Sequence, residues 1–170
     1  MTAIGRAFFQ GDNFDKALTL YHQADTASMT EHDLSRYALA AFFKQHYPLA
    51  LEVATYGLTR KPGDINFTRL AFFCNTELKD YDDAQRHARA LFSNSATTPL
   101  FYYDYEYLVR LINSKATLDE LDRTYLKTSY QYLINYYLSQ KDYQTTAKRY
   151  AQKLLALDPT NALAKQVLQP

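Results

Sequence analysis

Along most of this chain apolar residues recur three and four positions apart, and they seldom alternate with polar ones. Between Glu31 and Lys44, Leu34, Tyr37, Ala38, Ala41 and Phe42 keep the offsets that gather side chains on one stripe of a helix. Helix starts are written beside such stripes. Thr30 followed by Asp33 has nearly the form of a capping box, and Met29 with Leu34 supplies the apolar staple that fixes the entry angle. Thr117 and Glu120 repeat the capping-box spacing. Thr98-Pro99 puts a proline at a first helical position, where its missing N–H leaves nothing unsatisfied. The pattern predicts an all-α protein.

A longer period lies over this one. An aromatic residue, two further residues and an alanine recur as Phe14 and Ala17, Tyr47 and Ala50, Tyr81 and Ala84, so both registers step by 33 and then 34 residues. Four positions after each alanine stand Tyr21, Ala54 and Ala88, and three further on Ala24, Gly57 and Leu91. Each set falls on one helical face, and its small members let a neighbouring helix approach closely. With the stripe upstream of each, the reading is two helices in every 34 residues.

These residues resemble the tetratricopeptide repeat (TPR) family, whose helix-turn-helix unit carries small or aromatic residues at set places and often a closing proline. Gly5, Phe8, Phe14, Ala17, Tyr21 and Ala24 match in the first repeat, and Ala38, Ala41, Tyr47, Ala50, Gly57 and Pro62 in the second. In the third, Tyr81, Ala84 and Ala88 match, while Phe72 and Asn75 replace family residues and Ala96 stands where the proline belongs. The last unit matches at Tyr137, Tyr143, Tyr150 and Pro159, with Ile134 and Thr146 in place of small residues and the proline displaced by one. From Tyr81 to Tyr143 is 62 residues, six short of two repeats, so the stretch from Thr98 to Lys127 reads as a degenerate repeat that bends or breaks the superhelix.

The resemblance implies a single domain forming a right-handed α-α superhelix, with repeats near 1–29, 30–63, 64–97, 98–126 (degenerate) and 127–160. A terminal helix over 161–169 would cap the last apolar face. The first helix starts about three residues late for the family, which makes a fragment of a longer protein the expectation. The phrasing of Asn66 to Ala71, Thr76 to Tyr81 and Asp104 to Tyr107 is similar to bacterial cell-envelope members. That implies the periplasm or envelope with the signal absent from this sequence, and the cytoplasm as the alternative.

Composition narrows the function. At 47% hydrophobic and 22% charged residues, the 170-residue chain is built to bury a core, and four glycines with five prolines are too few turn formers for a many-stranded sheet protein. A net charge of +1 offers no general attraction to nucleic acid. The longest apolar run, Tyr37 to Phe43, falls far short of the roughly 20 residues that cross a bilayer. The lone Cys74 has no disulfide partner and reads as a small packing residue. His22, His32, His46 and His87 lack metal-pair spacing and read as solvated. Asp82-Asp83 and Asp119-Glu120 sit in first helical turns, where the macrodipole favours negative charge. Neither a phosphate loop nor a nucleophile elbow is present, so catalysis, cofactor and metal are not expected.

What remains is binding. The resemblance implies that the first helix of each pair lines a concave groove and that its outward residues hold a partner. Those positions are Thr2, Arg6, Phe9 and Gln10; His32, Ser35, Arg36, Leu39 and Phe43; Asn66, Arg69, Phe73 and Glu77; Tyr103, Glu106 and Arg110; Gln131 and Asn135. Arg6, Arg36, Arg69 and Arg110, with Phe9, Phe43 and Phe73 between them, would grip an acidic peptide segment by charge-assisted hydrogen bonds and apolar contact; the plainer reading is arginines in solvent on helix faces. Chaperone-binding members clamp a carboxylate with Lys and Asn, but Thr2 and Arg6 fill those places here. The expected function is a non-enzymatic protein-protein scaffold. The alternative is a carbohydrate-binding surface, suggested by 16 tyrosines and opposed by the absence of tryptophan. Within the tyrosine-rich stretch, Tyr102, Tyr105, Val109 and Ile112 form a core stripe that leaves Tyr103, Tyr107 and Arg110 on another face.

Overall fold

Among the described residues, helix follows helix within each part of the chain, joined by turns of few residues. The computed structural model describes residues 2–93, 106 and 119–169, which divide after Asn94 into two compact units. The first holds α1 (Thr2–Gln10), α2 (Phe14–His22), a short 3-10 turn (Thr26–Ser28), α3 (Glu31–Phe43), α4 (Tyr47–Arg60), α5 (Ile65–Glu77) and α6 (Tyr81–Ser93). The second holds α7 (Glu120–Leu138), α8 (Gln144–Leu157) and α9 (Ala162–Leu168). No strand occurs among the described residues.

In the first unit the helices pair as α1 with α2, α3 with α4 and α5 with α6, each pair joined by three residues. The middle residues, Asp12, Gln45 and Lys79, have φ of 56°, 60° and 64°, in the left-handed region. On either side the hydrogen bonding repeats. The N–H groups of Asn13, His46 and Asp80 donate to the carbonyls of Phe8, Ala41 and Asn75 at 2.9, 2.8 and 2.9 Å, and those of Asp12, Gln45 and Lys79 to Phe9, Phe42 and Thr76. This is a Schellman closure, which satisfies the last carbonyls of one helix while reversing the chain into the next.

Small residues set the spacing between pairs. Ala17, Ala50 and Ala84 are fully buried, and a Cβ added to Gly57 would stand 2.6 Å from the ring of Phe67, so only glycine lets α4 and α5 meet there. Around these points Tyr21, Met29, Leu34, Tyr37, Phe67 and Leu70 form one core. Cys74 belongs to it, and burial pushes its thiol up to about 12, consistent with a packing role. At the start of α3 the Thr30 hydroxyl caps the Asp33 N–H at 3.2 Å, and the staple residues Met29 and Leu34 are both buried.

The second unit departs from the expectation in three ways. First, α7 starts at Glu120 with Asp119 as its cap, accepting from the Asp122 N–H at 2.8 Å, so Glu120 stands at the first helical position and not at the third, where a capping box needs it. It then runs unbroken through the boundary expected at 126/127, because Leu126, Tyr130, Leu133, Ile134 and Tyr137 continue one buried stripe. Second, the buried small residue of α8 is Ala147, not Thr146. Ala147, Ala151 and Leu154 keep the offsets of Ala50, Ala54 and Gly57, and Pro159 then follows Ala147 by the same twelve positions that separate Ala50 from Pro62. The proline is in register after all. The sequence misleads because five residues, 139–143, join α7 to α8 where the other pairs use three.

Third, Glu106 is buried, not a groove residue: its carboxylate accepts from the Tyr150 hydroxyl at 3.3 Å and pairs with Lys153. A carboxylate is tolerated there because both donors meet it. Tyr130, Tyr137 and Tyr150 are buried as a stack, with Tyr137 and Tyr150 centroids 6.0 Å apart and planes 8° from parallel. Thr98, Pro99, Tyr102, Tyr103, Tyr105, Tyr107, Val109, Arg110, Ile112 and Thr117 lie outside the described residues.

Candidate partner-binding groove

The first helices of the three pairs, α1, α3 and α5, each divide into a core side and an accessible side. Leu34, Tyr37, Ala38 and Ala41 of α3, and Phe67, Leu70, Ala71 and Cys74 of α5, enter the core. None of the positions singled out from sequence is buried in this unit. Thr2, Arg6, Phe9, Ser35, Arg36, Leu39, Arg69 and Phe73 are half-buried, and Gln10, His32, Phe43, Asn66 and Glu77 are exposed.

Two cavities lie on that accessible side. One, of about 160 Å³, is lined by Ser35, Leu39, Asn66, Arg69, Leu70 and Phe73. The guanidinium of Arg69 lies 5.3 Å from the centre of the Phe73 ring, a cation-π placement that sets both against the same wall. The other, also about 160 Å³, shares Ser35 and Asn66 and adds Glu31, His32, Lys61, Asp64 and Phe67. Here Asp64 is fixed by structure: it caps α5 through the Asn66 and Phe67 N–H groups at 2.9 and 3.2 Å and pairs with Lys61 at 2.8 Å. Burial pushes its carboxyl up, but Lys61 and the two N–H groups outweigh it and hold the group below its ordinary range.

At the α1 side the charges are already satisfied. Arg6 donates to both oxygens of Asp33 at 2.6 and 2.8 Å, and the Thr30 hydroxyl donates to the same carboxylate at 2.8 Å. Asp33 is 1% exposed, and burial alone would raise its carboxyl; Arg6 and Thr30 reverse the sign and hold it low. Asp33 therefore spends its carboxylate on Arg6 and the Thr30 hydroxyl, and Arg6 is not one of a row of unpaired cations. Next to this pair the Tyr21 hydroxyl is buried without a hydrogen-bond partner. Burial pushes the phenol up, Asp33 adds to this, and Arg36 and Arg6 oppose it.

The phenylalanines are regrouped as well. Phe9 packs edge-on against Phe14 at 5.4 Å, and Phe14 lies 4.9 Å from Phe43, so Phe9 and Phe43 are joined through the start of α2. Phe42, which sequence placed in a core stripe, meets Phe73 at 6.1 Å. Asn135 is exposed on α7, in the second unit.

No protein-family model matches the chain, and no curated protein matches it either. Solved structures do. A structure of MamA (MSR-1) superposes with a TM-score of 0.64 at 8% identity, covering 97% of this chain and 92% of that one. TTC0263, a thermophilic TPR protein of Thermus thermophilus, gives a TM-score of 0.57 at 15% identity, with 97% and 94% covered. The fold is that of the tetratricopeptide repeat. In TPR terms α1, α3 and α5 are the first helices of successive repeats, and the two cavities lie between the first helices of the second and third.

Other features of this TPR-fold chain were not visible in its sequence. A cavity of about 340 Å³ between α2 and α4 is lined by Leu18, Thr19, His22, Gln23, His46 and Leu49. The Nδ1 of His22 lies 3.0 Å from the Tyr37 hydroxyl. His87 is half-buried, not solvated, and burial lowers its pKa. Among the described residues no three His, Cys, Asp or Glu side chains come together to hold a metal ion, and no helix is long and apolar enough to cross a membrane.

Proposed function

We propose that this chain is a protein-interaction scaffold whose first unit holds an extended segment of a partner protein against α3 and α5. The observation that carries the reading is the apolar cavity. Five of its six lining residues, Ser35, Leu39, Asn66, Arg69 and Phe73, come from positions that the repeat resemblance assigns to partner contact. A volume of about 160 Å³ is of the order that takes one aromatic or branched side chain, since cavities of about 150 Å³ hold benzene. Leu39, Leu70 and Phe73 supply apolar walls, Asn66 and Ser35 supply hydrogen-bonding groups for a peptide backbone, and Arg69 supplies charge for an acidic side chain.

The test is selection of binding peptides from a displayed random library on the immobilised protein, followed by titration of a selected peptide. Arg69→Ala with Phe73→Ala is expected to weaken binding by tenfold or more, as removal of a central anchor does at about 2 kcal/mol, with helix content by circular dichroism unchanged. An equal loss from Lys148→Ala, exposed on α8, would argue against the groove.

A further inference from the structure

The two cavities between α3 and α5 share a wall and differ in charge. Arg69 is the charged residue of the apolar one. The other sets Glu31 and Asp64 against Lys61, with His32 beside them. Lys61 and Asp64 are paired with each other at 2.8 Å. Glu31 is differently placed. Its neighbour Arg60 donates to the Met29 carbonyl at 2.5 Å and reaches the Glu31 carboxylate only at 3.4 Å, and the Glu31 side chain is 52% exposed. A long, half-exposed contact of this kind leaves the carboxylate with capacity for another donor. Between the cavities stand the Ser35 hydroxyl and the Asn66 amide, which belong to both.

We propose that the segment held here is bipolar, not uniformly acidic. An apolar residue sits against Leu39, Leu70 and Phe73 with a carboxylate beside it for Arg69. Ser35 and Asn66 hold the intervening peptide unit, and a basic residue on the far side reaches Glu31. This rests on the groove reading above and goes further by fixing composition and order. A second carboxylate in the polar cavity would face Glu31 and Asp64, and like charges in that position select against a purely acidic segment. Opposite charges at the two ends also set the direction in which the segment lies.

The experiment uses the full chain and the displayed random peptide library. Selected peptides are expected to carry an acidic and a basic residue on opposite sides of an apolar one. Replacing the basic residue of a selected peptide with Glu weakens binding to the wild type, and Glu31→Gln weakens the parent peptide by about 2- to 5-fold, the scale of a partly exposed ion pair. In Glu31→Gln the preference for the basic residue disappears, while in Arg69→Gln the preference for the acidic one does. Peptides that lose affinity with Phe73→Ala but are indifferent to the basic residue would overturn the bipolar segment and leave the groove standing. Recovery of no peptide, or of peptides indifferent to Phe73→Ala, would overturn both.

Discussion

Asp33 shows how one side chain can take two roles that look alike in sequence. Its spacing from Thr30 marks a helix start, and the Thr30 hydroxyl does cap the Asp33 N–H. Its carboxylate, however, goes to Arg6 and to the Thr30 hydroxyl, tying α1 to α3. The spacing of Thr30 and Asp33 was legible; the pairing of residues 27 positions apart was not, because nothing local in the sequence distinguishes a solvated arginine from one with a buried partner. The pair has a pH signature. The folded Asp33 carboxyl lies below its ordinary value of 3.8, so its contribution to stability is fully present above that value and is lost as pH falls through the folded one. Asp33→Asn is expected to cost about 1–3 kcal/mol near neutrality, the scale of a lost buried charged hydrogen bond. Urea titrations at several pH values check this. The wild-type advantage over the variant should shrink only below about pH 4, and an advantage that persisted in strong acid would sink the assignment.

At the scale of elements, the pairing of helices was written in the repeating alanines, and the joints between them were not. Each turn within a helix pair of the first unit has a residue with positive φ at its middle, yet none of Asp12, Gln45 and Lys79 is a glycine, the residue by which such turns are usually recognised. The cost of left-handed backbone for a side-chain-bearing residue is about 1–2 kcal/mol, and glycine gives back part of the relief through unfolded-state entropy. Gln45→Gly and Lys79→Gly are therefore each expected to raise stability by up to about 1 kcal/mol, read as a higher denaturation midpoint with an unchanged slope. A lowered midpoint would show that the side chains hold the turn in some way the backbone geometry does not reveal. In the second unit the misreading had a different origin: the aromatic Tyr143 is a less reliable anchor than the buried alanine, because it is itself the last residue of a joint longer by two residues. Burial, not residue type, fixes register in α8.

For the whole molecule, the class of fold followed from two nested periods, since helical stripes and a 34-residue repeat leave few alternatives. The site was legible only as a face. Sequence could place Arg69, Phe73 and Asn66 on the accessible side of α5, but which of a dozen such residues gather around a cavity depends on how the helices pack, as where Gly57 of α4 meets the Phe67 ring of α5. The regrouped aromatics make this testable. Phe73 lines the cavity, whereas Phe43 packs on Phe14 at the helix joint. Phe43→Ala is expected to change the affinity of a selected peptide by less than about 3-fold, within the near-neutral class of interface positions, against tenfold or more for Phe73→Ala. Isothermal titration of both variants decides it, and a reversed order would move the binding face to the joints. Five of the tyrosines follow the same logic: Tyr21, Tyr37, Tyr130, Tyr137 and Tyr150 are core residues, so packing accounts for these.

The register recovered for α8 reaches past the helix itself. Pro159 and Asn161 stand after Ala147 at the offsets that Pro62 and Asp64 keep after Ala50, and Asn161 caps α9 as Asp64 caps α5. The junction behind α8 therefore matches the junction behind α4 in spacing and in cap. Grafting the α5 sequence in place of α9 would set the cavity-lining side of α5 beside α7, the counterpart of α3, so half of a recognition surface becomes a portable part, with the proline and its cap as the splice.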